Sequence, residues 1–202
     1  RYLCDAKYVT DKNFQISIMG QVCDVTVLDE DSQTIEMTMG KASFNSEKLP
    51  AAGLARDIID ETLVLGQHEY HITCVNVGNP HCVLFTDQLS IDLVKNIGAQ
   101  LEVHPMFPQR TNVQWVQIID EHNIRIEIWE RGAGYTLASG TSSCATACAA
   151  IANQHCISPI TVHMAGGKAI VNVDDNWNIS LTGTVQAIAT GQFSADFLYA
   201  LD

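Results

Sequence analysis

The chain has 202 residues, 47% hydrophobic and 17% charged, with 23 acidic against 11 basic side chains and a net charge of −12. That composition describes a globular chain with a sizeable core in one or two domains and excludes a disordered one. So acidic a chain is a poor candidate for binding nucleic acid or anionic membranes, although local arginines and helix N-termini can still hold an anion. The first residues, with Tyr2, Leu3 and Ala6 in an apolar-periodic pattern, read as the tail of a helix. Strands are expected at 14–18, 22–28 and 34–39, separated by the Met19-Gly20 turn and the polar turn Asp29-Glu30-Asp31-Ser32, and closed by Gly40. Residues 43–55, with Pro50 and Gly53, read as a linker. Strands follow at 62–65, 70–77 and, after the Gly78-Asn79-Pro80 turn, 82–85. Residues 92–101 predict a helix, and Pro105 and Pro108 break the chain before a strand at 112–119.

The next strand alternates Ile124, Ile126 and Ile128 with Arg125, Glu127 and Trp129. It runs into a passage where Gly132, Gly134 and Gly140 permit tight turns. Small apolar residues from Cys144 to Ala152 then read as helix. No Asp, Glu, Lys or Arg occurs between Arg131 and Lys168, and a helix without a charged face is a buried helix. Strands at 161–164, 169–173 and 177–182 complete the chain, with Gly166-Gly167 and Asp174-Asp175-Asn176 between them and Gly183 after. This order repeats that of residues 1–40, which makes an internal repeat.

Seven cysteines with no Cys-x-x-Cys fit reduced, buried thiols in a cytoplasmic protein. No apolar run is long enough to span a bilayer. Cys144 and Cys148 share a helix face, but no third and fourth ligand accompanies them and His155, so no metal is expected. Gly132-x-Gly134 lacks the third glycine and the parallel unit of a dinucleotide fingerprint, and no cofactor is expected.

The candidate site gathers around 129–145. The helix N-terminus near residues 140–143 offers unpaired N–H groups and a positive dipole end, so Gly140 and Thr141 could hold a carboxylate. Ser139 is either an acid/base group at that N-terminus or a helix cap. Arg131 suits a carboxylate and Glu130 an ammonium, the pair an amino acid needs; a surface ion pair is the alternative. Asn79 and Asn112 stand in turns, where asparagine is common for backbone reasons. His81 is a candidate catalytic histidine that would tune the site, or else a core or surface histidine.

Glu130-Arg131-Gly132-Ala133-Gly134, followed by Ala138-Ser139-Gly140-Thr141-Ser142-Ser143-Cys144-Ala145, resembles the second active-site motif of diaminopimelate epimerases. Gly78-Asn79-Pro80-His81-Cys82-Val83 and Arg110-Thr111-Asn112-Val113 resemble two more of that family's segments, in the same order. The resemblance implies an α+β fold of two pseudo-symmetric lobes, each a curved, mostly antiparallel sheet around a buried central helix. Residues 1–44 with 189–202 would belong to the first lobe and 45–188 to the second, with the ligand between them. It implies cofactor-independent epimerisation of diaminopimelate, LL to meso, on the route to lysine and peptidoglycan precursors, by two-base proton transfer at the α-carbon. Asn79, Asn112, Glu130 and Arg131 would contact the substrate, and a homodimer is an allowed assembly.

One position departs from the pattern: the family's cysteine is Ser139 here, as a natural variant or an introduced substitution. Tyr135 and Leu137 read as marks of a distinct subgroup and favour the natural variant. Ser139 lies farther ahead of Gly167 than Arg1 lies ahead of its repeat counterpart, Gly20. The partner half-site, a Cys-Gly-Asn-Gly-like motif, is therefore expected upstream of Arg1. A one-base isomerase or eliminase of the same fold acting on another amino acid, and a non-catalytic amino-acid-binding protein, are the rival readings.

Overall fold

The computed structural model describes residues 1–18, 20–194 and 196. Its elements in chain order are α1 (Tyr2–Asp5), β1 (Asn13–Ile18), β2 (Gln21–Val27), β3 (Thr34–Lys41), β4 (Glu61–Leu65), β5 (His68–Asn76), β6 (Pro80–Phe85) and α2 (Ile91–Glu102). They continue with β7 (Asn112–Asp120), β8 (Asn123–Glu130), β9 (Gly134–Thr136), α3 (Gly140–Ala152), β10 (Ile160–Met164), β11 (Gly167–Val173) and β12 (Asn178–Thr184).

The strands form one 12-stranded sheet in the order β1-β2-β3-β12-β11-β10-β8-β7-β6-β5-β4, with β9 paired to β8 off this path. Two neighbouring pairs are parallel, β6 with β7 and β10 with β8. Each is bridged by a helix, α2 and α3 respectively, because a parallel neighbour requires a crossover connection. The remaining pairs are antiparallel, as expected.

Alternation along β6 and β7 sorts the apolar residues into two cores. Val83 and Val116 face the core that contains α3, whereas Leu84, Val113 and Trp115 face the core that contains α2. The first core surrounds α3, which touches β5, β6, β7, β8, β10, β11 and β12. Ser142 through Ala150 are all buried. Their small side chains let strands approach from every side, as the charge-free stretch predicts. α2 instead buries one stripe, Val94, Gly98, Leu101 and Glu102.

The internal repeat is visible as two antiparallel meanders, β1-β2-β3 and β10-β11-β12. They join where β3 pairs antiparallel with β12, from Thr34 opposite Thr184 to Lys41 opposite Asn178. Each meander follows a helix in the chain.

Three expectations need correction. Residues 43–55 are packed, not a free linker: Phe44 enters one core and Leu49 the other, and Ser43 and Asn45 bridge to Asn76 and Asp57. Two apolar anchors hold the segment despite its Pro and Gly. Trp177 lies before the strand assigned to it, at φ 65°, with its ring edge-on to Phe44 at 4.8 Å. β9 was not expected at all. Met19 of the predicted turn, and residues 195 and 197–202 of the tail expected to return to the first lobe, lie outside the described residues. No described helix is long and apolar enough to cross a membrane.

Candidate active site

The parallel register sets His81 of β6 opposite Asn112 of β7. The antiparallel register of β7 with β8 sets Val113 opposite Trp129. Asn79 precedes β6, Asn112 begins β7 and Glu130 ends β8, so all three reach the same end of the sheet. Arg131 follows in the turn, where its backbone N–H donates to Asn112 Oδ1 at 2.9 Å and its Nη1 donates to the Gln109 carbonyl at 3.1 Å. Asn112 Nδ2 donates to the Pro80 carbonyl at 2.8 Å. One Nδ2 hydrogen of Asn112 remains for another acceptor. Among the described residues Glu130 and Arg131 form no ion pair with each other.

A buried polar chain ties this strand end to α3. Asn79 lies 2.8 Å from His81 Nε2 and Gln114 lies 3.2 Å from His81 Nδ1. Gln114 Nε2 donates to Ser142 Oγ at 3.1 Å, and the Ser142 N–H donates to Ser139 Oγ at 3.4 Å. His81 is fully buried; burial pushes its pKa down to about 3, with the Arg131 charge adding to the shift and the Gln114 hydrogen bond opposing it. The ring is therefore neutral near pH 7 and donates through only one nitrogen. One of the two flanking amides must present its NH2 to the other nitrogen. His81 thus stands behind Asn79 and positions it. Gln114 was not singled out from sequence, although a glutamine on the strand face shared with Val116 was a usable signal.

Ser139 caps α3 from an extended backbone, φ −156° and ψ 127°. Its carbonyl accepts from the Ser143 N–H at 3.1 Å and from Ser143 Oγ at 2.9 Å. The Gly166 N–H donates to the Leu137 carbonyl at 2.7 Å, which fixes the entry to the helix. A Cβ at Gly166 would sit 3.0 Å from that oxygen, so glycine suits this close approach. Gly140 and Thr141 begin α3, and among the described residues their N–H groups have no backbone acceptor. No acidic side chain occupies the first turn. The helix end is an uncompensated partial positive charge, linked through Ser142 and Gln114 to His81.

No cysteine replaces Ser139 here. All seven are free, six are buried, and burial pushes the Cys144 thiol, one turn into α3, up to about 12. Among the described residues no cluster of three His, Cys, Asp or Glu could hold a metal. A hollow of about 400 Å³ opens beside the Gly78 turn, lined in part by Lys41, Ser43, Lys48 and Asn76. The structure therefore brings Asn79, His81, Asn112, Glu130, Arg131, Ser139, Gly140 and Thr141 to one end of the sheet, with a hydrogen-bond chain from the strand ends to the helix cap.

Comparison with known proteins places the chain in a family. Residues 73–188 match the family model described as diaminopimelate epimerase. Diaminopimelate epimerase 2 of a Nostoc species is 39% identical over 202 residues, all of this chain and 70% of that protein. Diaminopimelate epimerase of Bacillus pumilus is 34% identical over 198 residues, 96% of this chain and 70% of that protein. Among solved structures, a probable proline racemase from Agrobacterium radiobacter aligns with a TM-score of 0.69 at 12% identity, over 96% of this chain and 65% of its own. A hydroxyproline epimerase from Agrobacterium vitis aligns at 0.63 and 10% identity, over 91% of this chain and 60% of its own. At such identities these two show the fold alone. With the family model covering more than half of its length and a 39% identical relative along all of it, the chain belongs to the diaminopimelate epimerase family.

Proposed function

We propose that this chain carries the amino-acid recognition site and one acid/base position of a cofactor-independent isomerase that interconverts LL- and meso-diaminopimelate. The observation that carries the reading is that Asn112, Glu130 and Arg131 stand at the sheet end from which the Asn79–His81–Gln114–Ser142 chain runs to the capped N-terminus of α3. In this reading Arg131 holds a carboxylate, Glu130 accepts the ammonium, and Asn79 and Asn112 fix orientation. The N–H groups of Gly140 and Thr141 take a second carboxylate, and the helix dipole stabilises negative charge that develops as the α-proton leaves. His81 positions Asn79. Ser139 occupies one face of the α-carbon, and two-base inversion needs a second group on the other. The ligand lies between a lobe of residues 1–44 with 189–202 and a lobe of 45–188. The setting is cytoplasmic, a homodimer is an allowed assembly, and neither nucleic acid nor membrane is an expected partner.

A second reading is favoured by one observation: among the described residues Ser139 Oγ is engaged by the Ser142 N–H and by no side-chain base. A serine without a base is a weak proton-transfer group. Proton removal without return to the opposite face would give isomerisation or elimination. Incubating the full-length protein with LL- or meso-diaminopimelate in deuterium oxide separates the readings. Deuterium at the α-carbon with inversion is expected. Release of an elimination product sinks the epimerase reading in favour of the second one. Binding without exchange leaves an amino-acid-binding protein.

A further inference from the structure

Glu130 closes β8 and Arg131 opens the three-residue turn into β9, with Glu130 paired opposite Gly134, and both ends of this turn are also held by one side chain from another element. Glu102, the last residue of α2, is only 7% exposed. Its Oε2 accepts from Trp129 Nε1 at 2.7 Å, and its Oε1 accepts from the Gly132 N–H at 3.0 Å. These two donors flank Glu130 and Arg131 in the chain. Glu102 also faces Arg110, with Nη1 3.5 Å from Oε1, and its backbone carbonyl accepts from the Thr111 N–H at 3.3 Å. Arg110 adopts φ 60°, a left-handed conformation uncommon for a residue with a side chain, directly ahead of Thr111 and Asn112. α2 is seated against the same strand: a Cβ at Gly98 would lie 2.9 Å from Trp129 Cβ, so the helix lies as close to Trp129 as glycine allows.

A buried carboxylate is retained only where donors satisfy it, and among the described residues its donors are Arg110, Trp129 and Gly132. We propose that Glu102 is the positioning residue of the amino-acid recognition turn: a rigid acceptor that fixes Glu130 and Arg131 between two hydrogen bonds and sets Asn112 through Arg110 and Thr111. The inference rests on the recognition role given above to those three residues. Glu102 touches no substrate in this scheme. It acts by keeping the turn in its binding conformation before the ligand arrives, which strengthens binding more than chemistry.

The test uses the full-length protein and two variants. Glu102→Ala removes both carboxylate oxygens and keeps the backbone carbonyl that accepts from Thr111, and Glu102→Gln keeps one oxygen but turns an NH2 toward the second donor and loses the Arg110 ion pair. Amide hydrogen exchange, read by mass spectrometry, should speed up roughly tenfold across 130–133 in Glu102→Ala and less in Glu102→Gln, with α3 unchanged. KM for diaminopimelate should rise about tenfold in the alanine variant and roughly threefold in the glutamine variant, with kcat within about threefold of the parent. If the alanine variant does not fold, the glutamine variant decides. Unchanged exchange in 130–133, or faster exchange there with unchanged KM, overturns the proposal. So does a fall in kcat with equal loosening of α3, because a general structural role would produce it. A parent protein that neither binds nor converts diaminopimelate sinks the functional reading instead, and the exchange arm then judges the clamp by itself.

Discussion

α2 and α3 are capped in the same way and do different things. Ser90 and Ser139 both sit in extended backbone, and each side chain accepts from the N–H three residues on, Leu93 at 3.2 Å and Ser142 at 3.4 Å. Around Ser90 the helix end is exposed, and Asp92 in its first turn offsets the dipole. Around Ser139 the helix runs straight into the core, its first turn holds no acid, and Gln114 ties Ser142 to the strand ends. A serine cap is therefore ordinary helix chemistry. It becomes part of a site only where burial preserves the field of the helix and polar strand ends face it.

The largest expected effect comes from putting a thiol at each cap. Ser139→Cys should raise interconversion of the diaminopimelate isomers about 10²–10⁴-fold, because a thiol at a helix N-terminus can ionise near neutral pH and serine cannot. Ser90→Cys should leave the rate unchanged, since its cap faces solvent away from the recognition turn. Coupled measurement of α-proton exchange and stereochemical inversion reads both. Equal rates for Ser139→Cys and the parent would end the claim that Ser139 holds an acid/base position.

The same contrast explains what could be read from the chain. The strands other than β9 and the helices α2 and α3 were legible because alternation and the charge-free run are local patterns, and burial follows from them. The motif residues were legible through family resemblance, and the structure adds the reason that they meet: the β6–β7 and β7–β8 registers. Glu102 was not legible. At the end of an amphipathic helix a glutamate reads as solvated, and its donors Arg110, Trp129 and Gly132 lie 8, 27 and 30 residues away. β9 is three residues inside a glycine-rich passage, too short for a periodic signal. The segment 43–55 misled because Pro and Gly outweighed two apolar anchors whose cores are built from distant strands.

A middle-sized effect should come from the histidine behind the strand ends. The His81 pKa falls from an ordinary 6.5 to about 3 because the ring is fully buried. Below pH 6.5 the unfolded chain takes up a proton that the folded chain refuses until about pH 3. Stability is thus present above 6.5 and lost as pH falls through this window. At pH 5 the loss is about 2 kcal/mol. His81→Gln, compared with the parent by urea unfolding between pH 7 and 5, should flatten this dependence. That range lies above the titration of the carboxylates held low by hydrogen bonds, Asp29, Asp120 and Asp174. Parallel pH profiles for the two proteins would show that His81 is accessible to protons.

The smallest effect tests the caps as caps. Ser90→Ala and Ser139→Ala each remove an oxygen that accepts from the third N–H of a helix. At α2 the freed N–H belongs to Leu93, half-buried beside solvent, and water can replace the hydroxyl. The expected loss is about 0.5–1 kcal/mol. At α3 the freed N–H belongs to Ser142, whose residue is fully buried and whose own hydroxyl is already taken by Gln114. An unsatisfied buried donor is more expensive, and the loss should approach about 2 kcal/mol. Denaturant titration of the two variants gives the difference directly, with unchanged slopes as the control for an unchanged unfolded state. If both substitutions cost the same, water reaches the first turn of α3 as freely as that of α2. The low-dielectric helix end on which Ser139, Gly140 and Thr141 depend would then not exist.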